Sequence, residues 1–235
     1  MELIRNVTVQ RNFTKHSAGS VLYRCGDTVV LCTASIEPNV PPWLAGKGKG
    51  WITAEYNMLP SSTSPRKARE RSGKVDGRTT EIQRLIGRSF RAVADLERLG
   101  ERSIAIDCEI LQADGGTRTA SITGGLIALV DALRDDFGSV SRDLYPLRDN
   151  VAAISVGICE GVATLDLDFE HDVAADVDMN VVMTGSGKFI ELQGTGEEST
   201  FDDDQLASLI QLAKSGIRQL TDIQRKALGS DWPFS

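Results

Sequence analysis

The sequence predicts a mixed α/β (α+β) fold of two pseudo-repeated β-sheet halves with covering helices. Short β-favouring runs recur through both parts of the chain. Each set ends in a glutamine-and-glycine stretch, Gln112-Ala-Asp-Gly-Gly116 in the first and Gln193-Gly-Thr-Gly196 in the second. Behind each stretch an apolar period of helical spacing begins. The first runs through Ile122, Leu126, Leu129, Val130, Leu133 and Phe137; the second runs from Leu206 through Leu209, Ala213, Ile217 and Leu220 to Ile223. Such self-similarity reads as a weak internal duplication within one domain over 1–235. Residues 1–140 form its N-terminal half and 151–235 its C-terminal half.

In chain order, Asn6-Val-Thr-Val-Gln10, Ser20-Val-Leu-Tyr-Arg-Cys25 and Thr28–Ile36 have β propensity and a Gly26-Asp27 turn, giving a hairpin or meander. A proline- and glycine-rich connection, Pro38 to Gly50, precedes a further strand, Trp51–Leu59. Ser61 to Arg78 has no apolar period and carries Arg66, Lys67, Arg69, Arg71 and Lys74, so it reads as an exposed loop. Thr80 is placed to cap a helix from Glu81 to Leu99, with Ile82, Leu85, Ile86, Val93 and Leu96 on its buried face. Arg84, Arg88 and Arg91 form a basic stripe beside them, suited to ion pairing. Ser103–Leu111 is a strand and opens into the glycine turn and a helix to Phe137. Four strands are expected over Val151–Cys159, Gly161–Asp168, Ala174–Met183 and Gly187–Gln193, before the last amphipathic helix.

Composition narrows the function classes. The chain has 235 residues, 41% hydrophobic and 25% charged, which is ordinary for a globular domain. No apolar run is long enough to span a bilayer, and no signal-peptide core is present, so a cytoplasmic protein without a membrane partner is expected. Cys25, Cys32, Cys108 and Cys159 are scattered without paired spacing, as in a reducing compartment. With His16 and His171 as the only histidines, zinc ligation and a histidine triad are disfavoured. The net charge of −7 is unevenly spread: Lys47 to Arg91 holds 11 Lys/Arg against 4 Asp/Glu, and Gly161 to Asp204 holds 12 Asp/Glu against one lysine. A basic surface beside a carboxylate-rich one suits a polyanion handled with metal ions, or a self-complementary interface.

The glycine turn is the chemical centre of the first half. A helix N-terminus offers unpaired N–H groups and the positive end of the dipole, and glycine lets a ligand approach the backbone. Arg118 adds a fork of donors, and Thr117, Thr119, Ser121 and Thr123 add hydroxyls. An ordinary capped β-to-α turn is the plainer account. Arg78, just before a helix, is free to point into a site. The second stretch carries Glu197 and Glu198, which repel phosphate, so the anion site is expected at the first only. Asp172, Asp176 and Asp178 share a face if one strand spans them, and like charges there call for a cation or arginines.

Four segments carry a family resemblance over essentially the whole chain. These are Gly77-Arg-Thr-Thr-Glu-Ile-Gln-Arg-Leu-Ile-Gly-Arg-Ser89, Gln112 to Gly124, Asp176-Val-Asp-Met-Asn-Val-Val-Met-Thr-Gly185 and Glu191-Leu-Gln-Gly-Thr-Gly-Glu-Glu198. With Gly48-Lys-Gly-Trp-Ile-Thr-Ala-Glu-Tyr-Asn-Met-Leu-Pro60, they resemble the ribonuclease PH family of bacterial phosphorolytic 3′-to-5′ exoribonucleases. Members usually carry a short Asp-Gly-Arg segment ahead of the Glu2-Leu3-Ile4-Arg5 region, after which this sequence starts. The resemblance implies that Arg78, Gly116, Thr117 and Arg118 bind inorganic phosphate. It also implies that Asp172 and Asp178 are catalytic and hold a divalent metal, Mg²⁺, with Asp178 assisting the leaving 3′ oxygen. Arg66, Arg69, Arg71 and Lys188 are assigned to RNA. A homo-hexamer, a trimer of dimers acting on tRNA precursor 3′ ends, is implied too, as is a left-handed β-α-β crossover against the usual hand. Two other classes remain open. A hydrolytic exoribonuclease needs no two-arginine cradle, and a non-catalytic RNA-binding ring subunit needs neither arginines nor aspartates.

Overall fold

The structure is a computed structural model and describes residues 2–69, 76–138, 140–196 and 199–234. Arg71 and Lys74 of the basic loop, and Glu197 and Glu198, lie outside the described residues. Two sheets are built. The first, ordered β1-β2-β3-β5-β4, contains β1 (Val7–Arg11), β2 (Gly19–Cys25), β3 (Thr28–Glu37), β4 (Trp51–Met58) and β5 (Ser103–Gln112). The second, ordered β7-β6-β8-β9, contains β6 (Val151–Cys159), β7 (Val162–Leu165), β8 (Val177–Thr184) and β9 (Phe189–Gly196). The N-terminal meander is antiparallel, as its turn residues require. β4 instead pairs in parallel with β5, and the connection between them is α1 (Gly77–Val93) followed by α2 (Leu96–Leu99).

Periodicity explains these elements. Ile104, Ile106, Cys108 and Ile110 alternate on the buried face of β5, and α1 buries Ile82, Leu85, Ile86, Phe90 and Val93. The capping residue of α1 is Asp76, whose side chain accepts from the Arg78 N–H at 3.4 Å, so the helix starts before Thr80. It also ends sooner than Leu99. Ala94 turns extended and bridges to Leu147, and Asp95 then caps α2 through the Arg98 N–H at 3.1 Å.

Helix α3 (Thr117–Phe137) departs from the expected cover. It packs on β2 and β3 on one side and on β6 on the other, so it lies between the sheets and is buried over most of its length. Its middle, Gly124 to Val130, is apolar all round and belongs there, while the buried hydroxyls before it need partners of their own. β6 is correspondingly buried on both faces, since α5 (Asp203–Leu228) covers its other side. The second glutamine-and-glycine stretch is no turn at all: Gln193 and Gly194 sit inside β9, paired with Asn180 and Met179. The strand expected from Ala174 begins at Val177, and before it lies the short helix α4 (Phe169–Ala174), capped by Asp168. Among the described residues no helix is long and apolar enough to cross a membrane.

Candidate active site

The turn after β5 is held open by its glycines. Gly115 and Gly116 have φ of +69° and +61°, the left-handed region, and Gly116 sits at the N-cap of α3. No side chain among the described residues caps that N-terminus, and its first residues, Gly116, Thr117 and Arg118, line a cavity. Thr117 lines the cavity, with its hydroxyl 2.8 Å from the buried Tyr56 hydroxyl. The other expected hydroxyls do not. Thr119 donates to Gly116 O at 2.8 Å, Ser121 to Thr117 O at 2.8 Å and Thr123 to Ala153 O at 3.2 Å. Each is spent on the main chain because α3 is buried.

The cavity, about 230 Å³, is where the two halves meet. Arg78 and Glu81 reach it from the first turns of α1, and Gly116, Thr117 and Arg118 from α3. The second sheet contributes Asp178 and Asn180 from β8, with Gln193 and Thr195 opposite them on β9 in the pairs Asn180↔Gln193 and Asp178↔Thr195. Alternate residues of a strand share a face, which puts all four on one side of the hairpin. Asp172 arrives from α4 rather than along β8, so the shared-strand reason for grouping it with Asp178 does not hold. Asp176 donates its N–H to Ile158 O at 2.8 Å and is absent from the cavity wall.

Arg118, Glu81 and Gln193 form a triangle of polar contacts that joins the halves. Arg118 Nη1 donates to Gln193 Oε1 at 2.7 Å and lies 3.6 Å from Glu81 Oε1, while Gln193 Nε2 donates to the same Glu81 oxygen at 2.7 Å. Only this amide orientation satisfies both neighbours. The Asp178 carboxyl is pushed above the usual range, first by burial and then by the charge of Asp172, with Arg118 opposing. Burial likewise raises the Tyr56 hydroxyl, opposed by its bond to Thr117 and then by the charges of Arg78 and Arg118. Among the described residues no group of three or more His, Cys, Asp or Glu is arranged to hold a metal ion.

Of the residues assigned to RNA, Arg66 and Arg69 are exposed and outside the cavity. Their segment is nevertheless fixed beside the glycine turn, since Ala113 N donates to Ser62 O and Leu59 N to Ile110 O, both at 2.9 Å. Lys188 is not brought to the site. It lies at the closed end of the β8–β9 hairpin, where its carbonyl accepts from Thr184 N, roughly 20 Å along the strand from Asp178. Arg88 pairs with Glu191 on β9, and Arg91 donates to Ile52 O at 2.7 Å and stacks over Trp51, as a structural stripe would. Glu81, Asn180, Gln193, Ser155 and Thr195 escaped the sequence reading. The strand phase of Asn180 relative to Asp178 was the one available signal.

A cavity with two guanidinium groups and a bare helix N-terminus facing two acids defines a protein that handles phosphate esters or phosphate itself. Residues 3–135 match the 3′ exoribonuclease family, domain 1, and residues 149–216 match its domain 2. The chain belongs to this family. It is 64% identical over 230 residues to a protein of Rhodopirellula baltica named ribonuclease PH, covering 96% of this chain and 94% of that one. It is 55% identical over 228 residues to ribonuclease PH of Listeria monocytogenes, covering 96% and 92%. Its fold is that of rice Rrp46 (TM-score 0.77, 18% identity, 96% of each chain covered). It also matches a chain of the Archaeoglobus fulgidus exosome with RNA bound to the active site (TM-score 0.76, 22% identity, 94% and 89% covered).

Proposed function

We propose that this chain is a phosphorolytic 3′-to-5′ exoribonuclease. It removes nucleotides from tRNA precursor 3′ ends as nucleoside diphosphates, with inorganic phosphate as nucleophile, and the transfer is reversible. The observation that carries this reading is the single cavity shared by Arg78, Arg118, the uncapped N-terminus of α3, Asp172 and Asp178. The ribonuclease PH name borne by relatives at 55% and 64% identity supports the substrate class.

The chemistry follows from charge. Nucleophile and scissile phosphodiester are both anions, so attack needs a cradle that offsets their repulsion. Arg78, Arg118 and the N–H groups after Gly116 hold the phosphate, and the Thr117 hydroxyl, fixed by Tyr56, adds a donor. Gln193 and Glu81 set the plane of the Arg118 guanidinium. Asp178 is the group placed to assist the departing 3′ oxygen. The charge of Asp172 disfavours ionisation of Asp178, a crowding that a hard cation relieves, and Mg²⁺ commonly takes its remaining ligands from substrate phosphates and water. Asp172 and Asp178 would therefore hold Mg²⁺, which supplies charge neutralisation at the scissile phosphate. No nucleophilic side chain is needed.

Arg66 and Arg69, on a segment anchored beside the glycine turn, guide RNA towards the cavity. A homo-hexamer built as a trimer of dimers follows from the family resemblance. The exposed Val162 and Leu192, on the edge strands β7 and β9, support burial of those edges between subunits. The free cysteines support a cytoplasmic location.

Incubating the protein with 3′-extended tRNA and Mg²⁺, with and without phosphate, tests the reading. Diphosphates released only when phosphate is present are expected. Monophosphates in both tubes would establish hydrolysis instead, and intact RNA in both would establish a binding subunit.

A further inference from the structure

Beneath the glycine turn lies a second cluster that the proposed chemistry does not use. Arg5 donates from Nη2 to Asp166 Oδ1 at 2.9 Å and from its main-chain N–H to Asp166 Oδ2 at 2.8 Å. Its other terminal nitrogen, Nη1, donates to the carbonyl oxygen of Asp114 at 2.5 Å. One guanidinium thus bridges the turn that opens α3 and the loop between β7 and α4. The pair is well sheltered, with side-chain exposures of 17% and 5%. The Cys25 thiol, kept protonated by burial that pushes it up to about 12, donates to the same Asp166 carboxylate at 3.5 Å.

The two segments pinned by Arg5 carry the two halves of the active site. On one side, Asp114 leads within two residues to Gly116, where an added Cβ would meet Arg5 Nη2 at 3.1 Å. On the other, Asp166 leads to Asp168, the cap of α4, and the Asp172 N–H donates to Asp168 O at 2.9 Å. The segments are in van der Waals contact as well, since a Cβ on Gly115 would lie 2.5 Å from Leu167 O. Asp166 itself has φ +58°, an uncommon conformation for an aspartate, which persists where surrounding bonds over-determine it.

Resting on the phosphorolytic reading above, we propose that Arg5 and Asp166 are positioning residues whose ion pair fixes the phosphate-binding turn against the helix that carries Asp172. Neither side chain lines the cavity, so both act through the backbone segments they join. Loss of the pair moves the turn relative to the carboxylates and weakens phosphate capture specifically.

The test compares wild type with Asp166→Asn, Arg5→Lys and Arg5→Ala in phosphate titrations of phosphorolysis. RNA affinity is measured without phosphate. Asn tolerates the left-handed backbone, so Asp166→Asn keeps the shape while removing the charge and turning one of the two acceptors that face Arg5 into a donor. A rise of about tenfold in the phosphate KM is expected for Asp166→Asn and Arg5→Ala, with RNA affinity unchanged within about twofold. Arg5→Lys keeps a point charge without the fork and should raise KM by at least about threefold. A purely structural role lowers the active fraction, and hence kcat, while the phosphate KM stays at the wild-type value; that result would overturn the proposal. Should Arg5→Ala fail to fold, Asp166→Asn and Arg5→Lys decide it alone. Wild type turning over without phosphate would instead sink the phosphorolytic reading, and this inference with it.

Discussion

Arg118 at the start of α3 and Gln193 in the middle of β9 are joined by a 2.7 Å hydrogen bond from guanidinium to side-chain amide. The bond ties the phosphate-binding turn of the first sheet to a strand of the second, and Glu81 closes the triangle from α1. A guanidinium anchored on one edge keeps its remaining donors aimed into the cavity, which is what pre-organised recognition of an anion requires.

Replacing Arg118 with alanine removes the fork and leaves Arg78 and the helix N-terminus. We expect kcat/KM for phosphate to fall by about 100-fold, with RNA binding reduced less than about threefold. Phosphate titrations of diphosphate release and an RNA gel-shift check the two quantities separately. Equal loss of both would remove Arg118 from its assigned role.

Asp178→Asn keeps the shape and takes away the carboxylate that faces Asp172 and the departing oxygen. A fall of about 10²–10⁴-fold in single-turnover rate is expected. RNA affinity should hold or rise slightly, because a carboxylate facing a polyanion is gone. Normal turnover by the variant would exclude Asp178 from assisting that oxygen.

Much of this site was legible in the sequence, and the exceptions have physical causes. The glycine turn and Arg118 could be found because their chemistry is local, with glycines, a helix start and a donor two residues on; Arg78, on a different helix, was assigned to phosphate through the family resemblance. Asp172 was grouped with Asp178 on strand phase, yet it arrives on a one-turn helix whose position depends on contact with Gly115. Gln193 was read as the end of a strand because glycines follow it, yet β9 runs on to Gly196. Pairing with β8 holds that segment extended, and no local signal reports pairing. Lys188 was assigned to RNA through the family resemblance, but a hairpin carries its two ends apart by its full length. The place of α3 between two sheets was foreshadowed only by its near-absence of a polar face.

Gly115 offers a test of the contact between halves. At φ +69°, with a Cβ 2.5 Å from both Leu167 O and Asp168 C, alanine meets backbone strain and a clash with main-chain atoms that cannot swing aside. We expect Gly115→Ala to destabilise the fold by about 2–4 kcal/mol, read as a lower midpoint in urea. An unchanged midpoint would show that the loop before α4 does not press on the turn.

Tyr56 is buried beneath the cradle, and its hydroxyl meets the Thr117 hydroxyl at 2.8 Å. Phenylalanine preserves the ring packing and deletes one buried hydrogen bond. A loss of about 1 kcal/mol is expected, seen as a melting temperature lower by about 2–4 °C in a chain of this size. Added phosphate should restore part of that loss if it supplies Thr117 with a new partner, so melting curves with and without phosphate make the comparison.

Asp95 governs a different property, the response of the fold to acid. Its carboxylate caps α2 through the Arg98 N–H, lies 3.2 Å from Arg148 Nη2 and 3.3 Å from Arg98 Nε, and is held below the usual carboxylate range by these groups, the backbone hydrogen bond foremost. A carboxyl whose pKa is lower folded than unfolded stabilises the fold fully above its unfolded value, near 3.9, and the benefit disappears as pH falls through the lower folded value. Asp95→Asn retains a capping oxygen but not the charge, and should cost about 1 kcal/mol at pH 7. The gap in melting temperature between wild type and variant should stay constant from pH 7 to about 5 and shrink progressively as pH falls below about 3.9. A gap that persisted undiminished at the lowest pH would mean that the carboxylate charge is not what secures this corner, where Arg148 N also donates to Val93 O at 2.7 Å.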